Sequence, residues 1–305
     1  MSNNRIPSVL ILLSTFNGEK YLIEQLTSIY NQTHGSINIL VRDDGSTDNT
    51  INILKTEEDH GRLIVLKNRD NVGVVNSFFR LLSEAKNIDY DFLSFSDQDD
   101  VWYSNKIQYA VSALENEIDP CLYCCRLEYV TEMLNHISYS RIPKSVGLEN
   151  ALVENIAAGC TIVLNKSAAN HLSGNFPSFA AVHDWWFYLY ISYYGKIIYD
   201  ATPLIKYRQH TANAIGKPRG LISKIYRVCV RFFGEKSFEW MSKQAISLKE
   251  IAARKDANVN SLLLCFVLGK SSIADRFRLI FSNRVARSNT FENFFLKVII
   301  FLNIY

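Results

Sequence analysis

The stretch that decides the fold is residues 92–102, Phe-Leu-Ser-Phe-Ser-Asp-Gln-Asp-Asp-Val-Trp. Its apolar start predicts a buried β-strand over residues 92–95, and its acidic part predicts a turn at the end of that strand. Three carboxylates within four positions repel one another, and a divalent cation relieves that repulsion. Hard oxygen ligands favour Mg²⁺ or Mn²⁺. A turn followed by acids at a helix N-terminus is the alternative, because a lone Asp-x-Asp is a weak motif.

Three further apolar runs precede this stretch and alternate with helical patterns. Strands are predicted at residues 9–13, 37–41 and 63–66, and apolar residues recur at helical spacing between them. This alternation predicts βαβ units and a largely parallel sheet. In such sheets ligands bind beyond the carboxyl ends of the strands. Residues 14–18 and 43–46, which follow the first two strands, are therefore expected to lie beside the acidic turn.

The sequence Asp43-Asp44-Gly45-Ser46 has two interpretations. It can form a turn in which Gly45 adopts a positive φ and Ser46 caps the next helix. A carboxylate at the end of this strand can also accept the imide N–H of uracil or thymine. The residues alone leave both interpretations open.

Beyond residue 120 the pattern changes to strands separated by irregular loops, one of them at residues 134–148. Strands are predicted at residues 161–164, 197–199 and 204–207, as a mixed half of the same sheet.

Cysteine usage and the N-terminus bear on the cellular compartment. Cys121, Cys124 and Cys125 have the spacing of half a zinc site, but no second pair lies at zinc-finger distance, which favours buried strand thiols. The apolar run at residues 9–13 is too short for a signal peptide or a membrane span. A cytoplasmic protein is expected.

Charge divides the chain near residue 215. Residues 1–215 hold 17 Lys+Arg and 24 Asp+Glu, whereas residues 216–305 hold 16 and 6. Apolar residues within 291–302 almost surround the helix axis, yet the run is too short to cross a bilayer. The tail is predicted to lie on an anionic membrane surface, and removal of residues 291–305 is expected to leave a folded domain. A packed helical cap and a dimer face are the alternatives.

Taken together, the motifs at residues 14–18, 43–48, 71–73 and 96–102 resemble family 2 glycosyltransferases of the GT-A fold. The resemblance covers roughly residues 8–215. The Ser-Asp-Gln-Asp-Asp-Val-Trp form is most similar to bacterial enzymes of O-antigen (lipopolysaccharide) and capsule assembly, many of them rhamnosyltransferases. The resemblance implies an α/β fold with a Rossmann-like mixed sheet flanked by helices. A catalytic domain over 1–215 and a helical, basic, membrane-associated tail over 216–305 are expected.

The resemblance also implies roles for individual residues. Asp184, in His-Asp-Trp-Trp, matches the family's general base, although a cap on an aromatic core helix is the alternative. Asp44 would hold the pyrimidine base, and Asp99 would bind a metal ion on the donor's diphosphate. His210 or Arg208 could reach the diphosphate or the metal, or both could end an exposed strand. The other residues expected at the site are Thr15, Asn17, Asp43, Asp97 and Gln98 around the nucleotide sugar, Asp97 also at the metal, and Trp102, Gly159 and Trp185 on the acceptor side.

These roles imply an inverting transfer of a hexosyl group, dependent on Mn²⁺ or Mg²⁺. The donor would be dTDP-rhamnose or a UDP-hexose, and the acceptor a lipid-linked saccharide at the inner face of the cell membrane, with no nucleic acid involved. Asp184 would take the proton of the acceptor hydroxyl. A sugar-phosphate nucleotidyltransferase is disfavoured, because residues 14–18 lack a Gly-rich loop with Arg and Lys. A non-catalytic saccharide-binding protein on a decayed transferase fold is disfavoured by the intact acidic set.

Overall fold

The computed structural model describes residues 5–67, 70–210, 239–255, 259–282 and 284–305. Strands and helices alternate through the first hundred residues, as the hydrophobic pattern predicts. The strands are β1 (Val9–Thr15), β2 (Ile37–Asp43), β3 (Ile64–Val65) and β4 (Phe92–Ser96), and the helices are α1 (Leu22–Tyr30), α2 (Thr50–Asp59) and α3 (Gly73–Glu84).

The second half of the domain mixes strands and helices. In chain order these are β5 (Val101–Trp102), α4 (Lys106–Leu114), β6 (Cys121–Val130), β7 (His136–Tyr139), α5 (Leu148–Ala151), β8 (Val163–Asn165), α6 (Lys166–Ser173), α7 (His183–Tyr194) and β9 (Lys196–Arg208).

Two sequence predictions differ from these elements. The loop expected at 134–148 contains β7, and the two strands expected at 197–199 and 204–207 form the single strand β9. Pro203 interrupts the hydrophobic pattern, because proline removes a backbone donor from the ladder. Pro203 lies opposite Arg126, where the register between β6 and β9 shifts. β9 therefore continues past this bulge.

One sheet connects the nine strands of the described residues in the order β3-β2-β1-β4-β8-β6-β9-β5, with β7 paired to β6. β1 runs parallel to β2 and β4, whereas β8 is antiparallel to both β4 and β6. Thr15 lies opposite Asp43, and Leu13 lies opposite Ser96. The segments after β1, β2 and β4 therefore share one edge, as predicted.

Apolar residues are buried on both faces of the sheet. Leu10 and Leu12 of β1 point into the core that contains α3, α6 and α7, and the alternate residues of β1 point into the core with α1 and α4. Cys121, Cys124 and Cys125 are buried unpaired thiols of β6, which confirms the strand interpretation.

Four helices are described near the end of the chain. They are α8 (Glu239–Lys255), α9 (Ser261–Leu268), α10 (Ile273–Ser282) and α11 (Thr290–Phe301). The predicted boundary between residues 215 and 216 lies outside the described residues. In the part of the chain that is described, no helix has both the length and the apolar character needed to cross a bilayer.

The end of the chain is packed against the rest of the protein. Leu296, Ile299 and Ile300 of α11 belong to the same hydrophobic core as α7. Tyr305 is fully buried, and its hydroxyl donates a hydrogen bond of 2.8 Å to the Phe266 carbonyl. One side of α11 is therefore packed, as in the helical cap that was the alternative from the sequence, and the membrane-surface role of the tail stays a prediction.

Candidate active site

The acidic turn after β4 brings several ionisable groups together. The carboxylates of Asp97 and Asp100 and the Cys160 thiol have atoms within 4.8 Å of one another. Burial, with the charges of Asp99 and Asp184 nearby, raises the pKa of Asp97 to about 7. Burial raises the pKa of Asp100 well above its usual range, and Asp99 adds to the effect. Crowded carboxylates of this kind are stabilised in their charged form by a bound cation.

Asp99 faces the end of β9 across this turn. The Nε2 atom of His210 lies 2.9 Å from Oδ2 of Asp99, and the imidazole packs on the ring of Tyr21. The pairing arises because β5, directly after the acidic turn, lies beside β9, with Val101 opposite Lys206.

Arg208 stabilises the backbone of the acidic turn from its buried side. It is buried, and its Nε donates to the carbonyl oxygen of Asp99 at 2.9 Å. Its guanidinium also pairs with Glu24 and bonds the carbonyl oxygen of Glu132. The alternative interpretation, that Arg208 belongs to an exposed strand end, is therefore wrong. Of the two candidates, Arg208 contacts the backbone carbonyl of Asp99, whereas His210 contacts its carboxylate, the group predicted to bind the metal.

Asp184 lies in the first turn of α7. Its Oδ2 accepts the Gly159 N–H at 3.0 Å, and its Oδ1 accepts the Trp185 N–H at 2.6 Å. Burial raises the pKa of Asp184 to about 6, although these backbone donors oppose the shift. The residue after Gly159 is Cys160, whose thiol lies within 4.8 Å of the Asp97 carboxylate, so Asp184 and Asp97 border the same site.

Gly159 permits a close approach beside this carboxylate. A Cβ atom at residue 159 would lie only 2.7 Å from Nε2 of His183. The His183 ring is buried and stacks on Phe78 with centroids 4.0 Å apart. Burial lowers the pKa of His183 to about 3, so this histidine is neutral at pH 7.

The two acids after β2 have different surroundings. Asp43 is fully buried and accepts the N–H groups of Gly45 and Ser46 and the hydroxyl of Thr15. Its carboxylate therefore shapes the turn. Asp44 is also buried, and it accepts the N–H groups of Val72 and Gly73 at the start of α3, each at 2.9 Å.

Arg42 is the neighbour that sequence analysis missed. It is a fully buried cation that pairs with Asp44, and it also donates to the Asp70 carbonyl oxygen and to the Ser77 hydroxyl. A charged residue in an otherwise apolar strand was the signal that could have revealed it, because buried charges require partners. The Asp44 carboxylate is thus held by a buried guanidinium and by two backbone N–H groups.

Gln98 joins the loops that follow β1 and β4. Its Oε1 accepts the N–H of Phe16 at 2.8 Å, and its Nε2 donates to the Phe16 carbonyl at 2.9 Å. The next residue, Asn17, has a φ of 48°, and its Oδ1 accepts the N–H of Thr47. The side chains of Gln98 and Asn17, both predicted to contact the nucleotide sugar, thus form hydrogen bonds to backbone groups of neighbouring loops.

The three residues predicted on the acceptor side are placed differently from one another. Trp102 is 3% exposed, with its ring under the ammonium of buried Lys106, 3.4 Å from the ring centroid. Trp185 is half-buried and donates to the Ala151 carbonyl oxygen at 2.7 Å. Gly159 contributes its backbone N–H to Asp184. An acceptor role for these residues stays a prediction, and the burial of Trp102 does not favour it.

Acidic residues at the carboxyl ends of parallel strands, in a mixed sheet flanked by helices, define a glycosyltransferase of the GT-A fold. The chain belongs to glycosyl transferase family 2, whose family model matches residues 10–173.

Similar proteins agree with this assignment. The chain is 27% identical over 303 residues to the dTDP-rhamnosyl transferase RfbG of Shigella flexneri, covering 96% of this chain and 100% of that protein. It is 26% identical over 263 residues to the UDP-Glc:alpha-D-GlcNAc-diphosphoundecaprenol beta-1,3-glucosyltransferase WfgD of Escherichia coli, covering 86% and 93%. The mannosyltransferase PcManGT from Pyrobaculum calidifontis, solved in complex with GDP-Man and Mn²⁺, shares the fold with a TM-score of 0.55 at 16% identity, over 92% of this chain and 72% of that one.

Proposed function

We propose that this glycosyltransferase moves a hexosyl group, with inversion, from a nucleotide-diphosphate sugar to a lipid-linked saccharide. The product would contribute to a bacterial surface polysaccharide such as O-antigen or capsule. Convergence of Asp97, Asp99 and Asp184 on one site is the observation that supports the proposal most. In this scheme residues 1–215 catalyse the transfer, and residues 216–305 bring the enzyme to the inner face of the cell membrane.

The donor is proposed to be dTDP-rhamnose first and a UDP-hexose second. The names of the Shigella flexneri and Escherichia coli relatives support these two donor classes. Uracil and thymine share the imide N–H that an ionised carboxylate accepts. Asp44, whose carboxylate pairs with Arg42 at the end of β2, would be that acceptor. A lipid-linked acceptor is supported by the diphosphoundecaprenol in the name of the Escherichia coli relative.

The residues at the acidic turn fit a divalent cation. Asp97, Asp99 and His210 offer carboxylate oxygens and an imidazole nitrogen, which suit Mn²⁺ or Mg²⁺. Burial keeps Cys160 in its thiol form by raising its pKa well above the usual range, so it is a poor ligand for these ions. A bound cation would neutralise the charge that develops on the leaving nucleotide diphosphate.

Asp184 is proposed as the general base. Its carboxylate is held by two backbone N–H groups and, with a pKa of about 6, is mostly ionised at pH 7. A lone pair on one of its oxygens would take the proton of the acceptor hydroxyl as that oxygen attacks the anomeric carbon. The bond to the nucleotide diphosphate breaks on the opposite face. The configuration inverts, and no protein nucleophile is required.

A transfer assay tests this proposal. Purified protein is incubated with Mn²⁺, a synthetic lipid-diphosphate saccharide, and dTDP-rhamnose or a UDP-hexose in turn. We expect one donor to yield a glycoside with the wild-type enzyme and to yield far less with Asp184→Asn. Equal activity of the variant would overturn the role of Asp184, and failure of every dTDP- and UDP-sugar would overturn the proposed donors.

A further inference from the structure

Helix α10 exposes an apolar stripe on the side that faces away from the core. Ile273, Phe277 and Phe281 follow one another at intervals of four residues, and all three are exposed, Phe281 at 73%. Leu279 of the same helix is buried. A helix packed on a soluble domain normally presents polar residues on its outer side. This helix is apolar on both sides, so its outer side requires an explanation.

Helix α11 shows the same feature and lies beside α10. Its buried residues are Leu296, Ile299 and Ile300, yet Phe294 is 64% exposed. Phe277 of α10 stacks on Phe281 and meets Phe301 of α11 edge-on, at centroid distances of 6.0 and 6.3 Å. The two stripes therefore join. We name the joined surface the aromatic face; it consists of Ile273, Phe277, Phe281, Phe291, Phe294, Val298, Phe301 and Leu302.

The charges around the aromatic face are mainly positive. Residues 259–305 contain six Lys+Arg and two Asp+Glu. The side chain of Arg278, next to Phe277, is 75% exposed, and Arg276 donates to the Phe301 carbonyl oxygen at 3.3 Å. Cations thus lie at the edge of the aromatic rings. Two copies of this surface would bring like charges together, which disfavours self-association, whereas an anionic partner would be attracted.

We propose that the aromatic face is a docking surface for an anionic lipid bilayer, with α10 and α11 lying in the plane of the interface. Aromatic side chains enter the boundary between head groups and acyl chains, while neighbouring arginines meet anionic head groups. The inference deepens the proposed function, on which it rests for the membrane that carries the acceptor. It narrows the sequence prediction for residues 216–305, because it assigns only the outer sides of α10 and α11 to the membrane.

Vesicle binding tests the surface directly. The triple variant Phe277→Ser, Phe281→Ser, Phe294→Ser is compared with a control triple, Ile118→Ser, Met133→Ser, Ile142→Ser, whose side chains are also exposed and apolar. We expect wild type and the control to bind vesicles of phosphatidylcholine and phosphatidylglycerol. The aromatic-face triple should bind at least about tenfold more weakly, since the three phenylalanine side chains no longer bury apolar surface in the bilayer. Arg278→Gln and high salt should also weaken binding.

Three outcomes would overturn the inference: no vesicle binding by wild type, equal binding by the aromatic-face triple, or a wild-type dimer that the triple dissociates. The single variant Phe281→Ser gives a second test at the most exposed ring if the triple does not fold. Transfer to a saccharide diphosphate with a short, soluble lipid is measured in parallel. Transfer without vesicle binding removes this inference and the membrane role of residues 216–305 but leaves the proposed chemistry, whereas vesicle binding without transfer removes the proposed chemistry alone.

Discussion

Asp184 and the acidic turn show how far residue-level reasoning reaches. Asp97, Asp99 and Asp100 lie within four positions, so their crowding could be predicted from spacing, and a shared cation site could be proposed from it. Asp184 is far from them along the chain, and only the resemblance to a known family connected them. Arg42 escaped prediction because its partners, Asp44 and Ser77, come together only when β2 packs against α3.

Replacing Asp184 tests proton transfer at the scale of one residue. Asp184→Asn keeps the shape of the side chain but cannot accept the proton, so kcat should fall by roughly 10²–10⁴-fold. Because burial raises the pKa of Asp184 to about 6, wild-type activity should fall as the pH drops through about 6 and the base becomes protonated. Rate measurements across pH, with nucleotide affinity measured alongside, check both effects. A loss of nucleotide affinity in the variant would instead place Asp184 in the donor pocket.

His210 provides a second test at this scale. If it binds the metal with Asp99, His210→Ala should weaken Mn²⁺ binding in the presence of dTDP or UDP by about tenfold or more, or about 1.4 kcal/mol. His60→Ala is the control, since that histidine is exposed at the end of α2. Electron paramagnetic resonance of free Mn²⁺ measures the affinity without any turnover. Unchanged affinity in His210→Ala would exclude the imidazole as a ligand.

At the scale of elements, the strands that precede the motifs could be predicted, whereas the connections between loops could not. The hydrophobic pattern predicted β1, β2 and β4 within a few residues, because buried parallel strands are continuous apolar runs. It could not show that Gln98 joins the loops after β1 and β4, since a polar residue in a turn gives no indication of its partner. Strand β7 was also missed, because its residues are mostly exposed.

Gly18 and Gln98 give a prediction at this scale. A Cβ at residue 18 would overlap the Gln98 amide, so Gly18→Ala should displace that amide and break its two hydrogen bonds to Phe16. We expect a loss of about 1–3 kcal/mol in the free energy of unfolding. Gly174→Ala is the control, since nothing lies within 4 Å of the added atom there.

A double-mutant cycle with Gln98→Ala identifies the cause of that loss. Because both substitutions remove the same two hydrogen bonds, the combined variant should be barely less stable than either single variant. Denaturant unfolding measures all three. Fully additive losses of stability would show that Gly18→Ala destabilises the protein through a contact other than the one with Gln98.

At the scale of the whole molecule, the parallel half of the sheet could be predicted from the sequence, but the packing of the last helices could not. An apolar residue pattern nearly all round α11 suits both a membrane surface and a packed helix, and sequence alone cannot say which side meets the core. The structure buries Ile299 and leaves Phe294 exposed, so one side of the helix packs on the core and the other side is exposed.

Two neighbouring residues of α11 test the packed side. Ile299 is 2% exposed and Val298 is 36% exposed. Ile299→Ala should lower the free energy of unfolding by about 2–5 kcal/mol, because it leaves a cavity in the core shared with α7. Val298→Ala, the matched control, should change it by less than about 0.5 kcal/mol. Equal effects in thermal or denaturant unfolding would contradict the packing of this helix.

The stereochemistry of transfer tests the central claim most directly. Nuclear magnetic resonance of the glycoside made by the wild-type enzyme gives the configuration at the anomeric carbon. A single displacement, with Asp184 taking the acceptor proton, predicts the configuration opposite to that of the donor sugar. A product that keeps the donor's configuration would contradict the account.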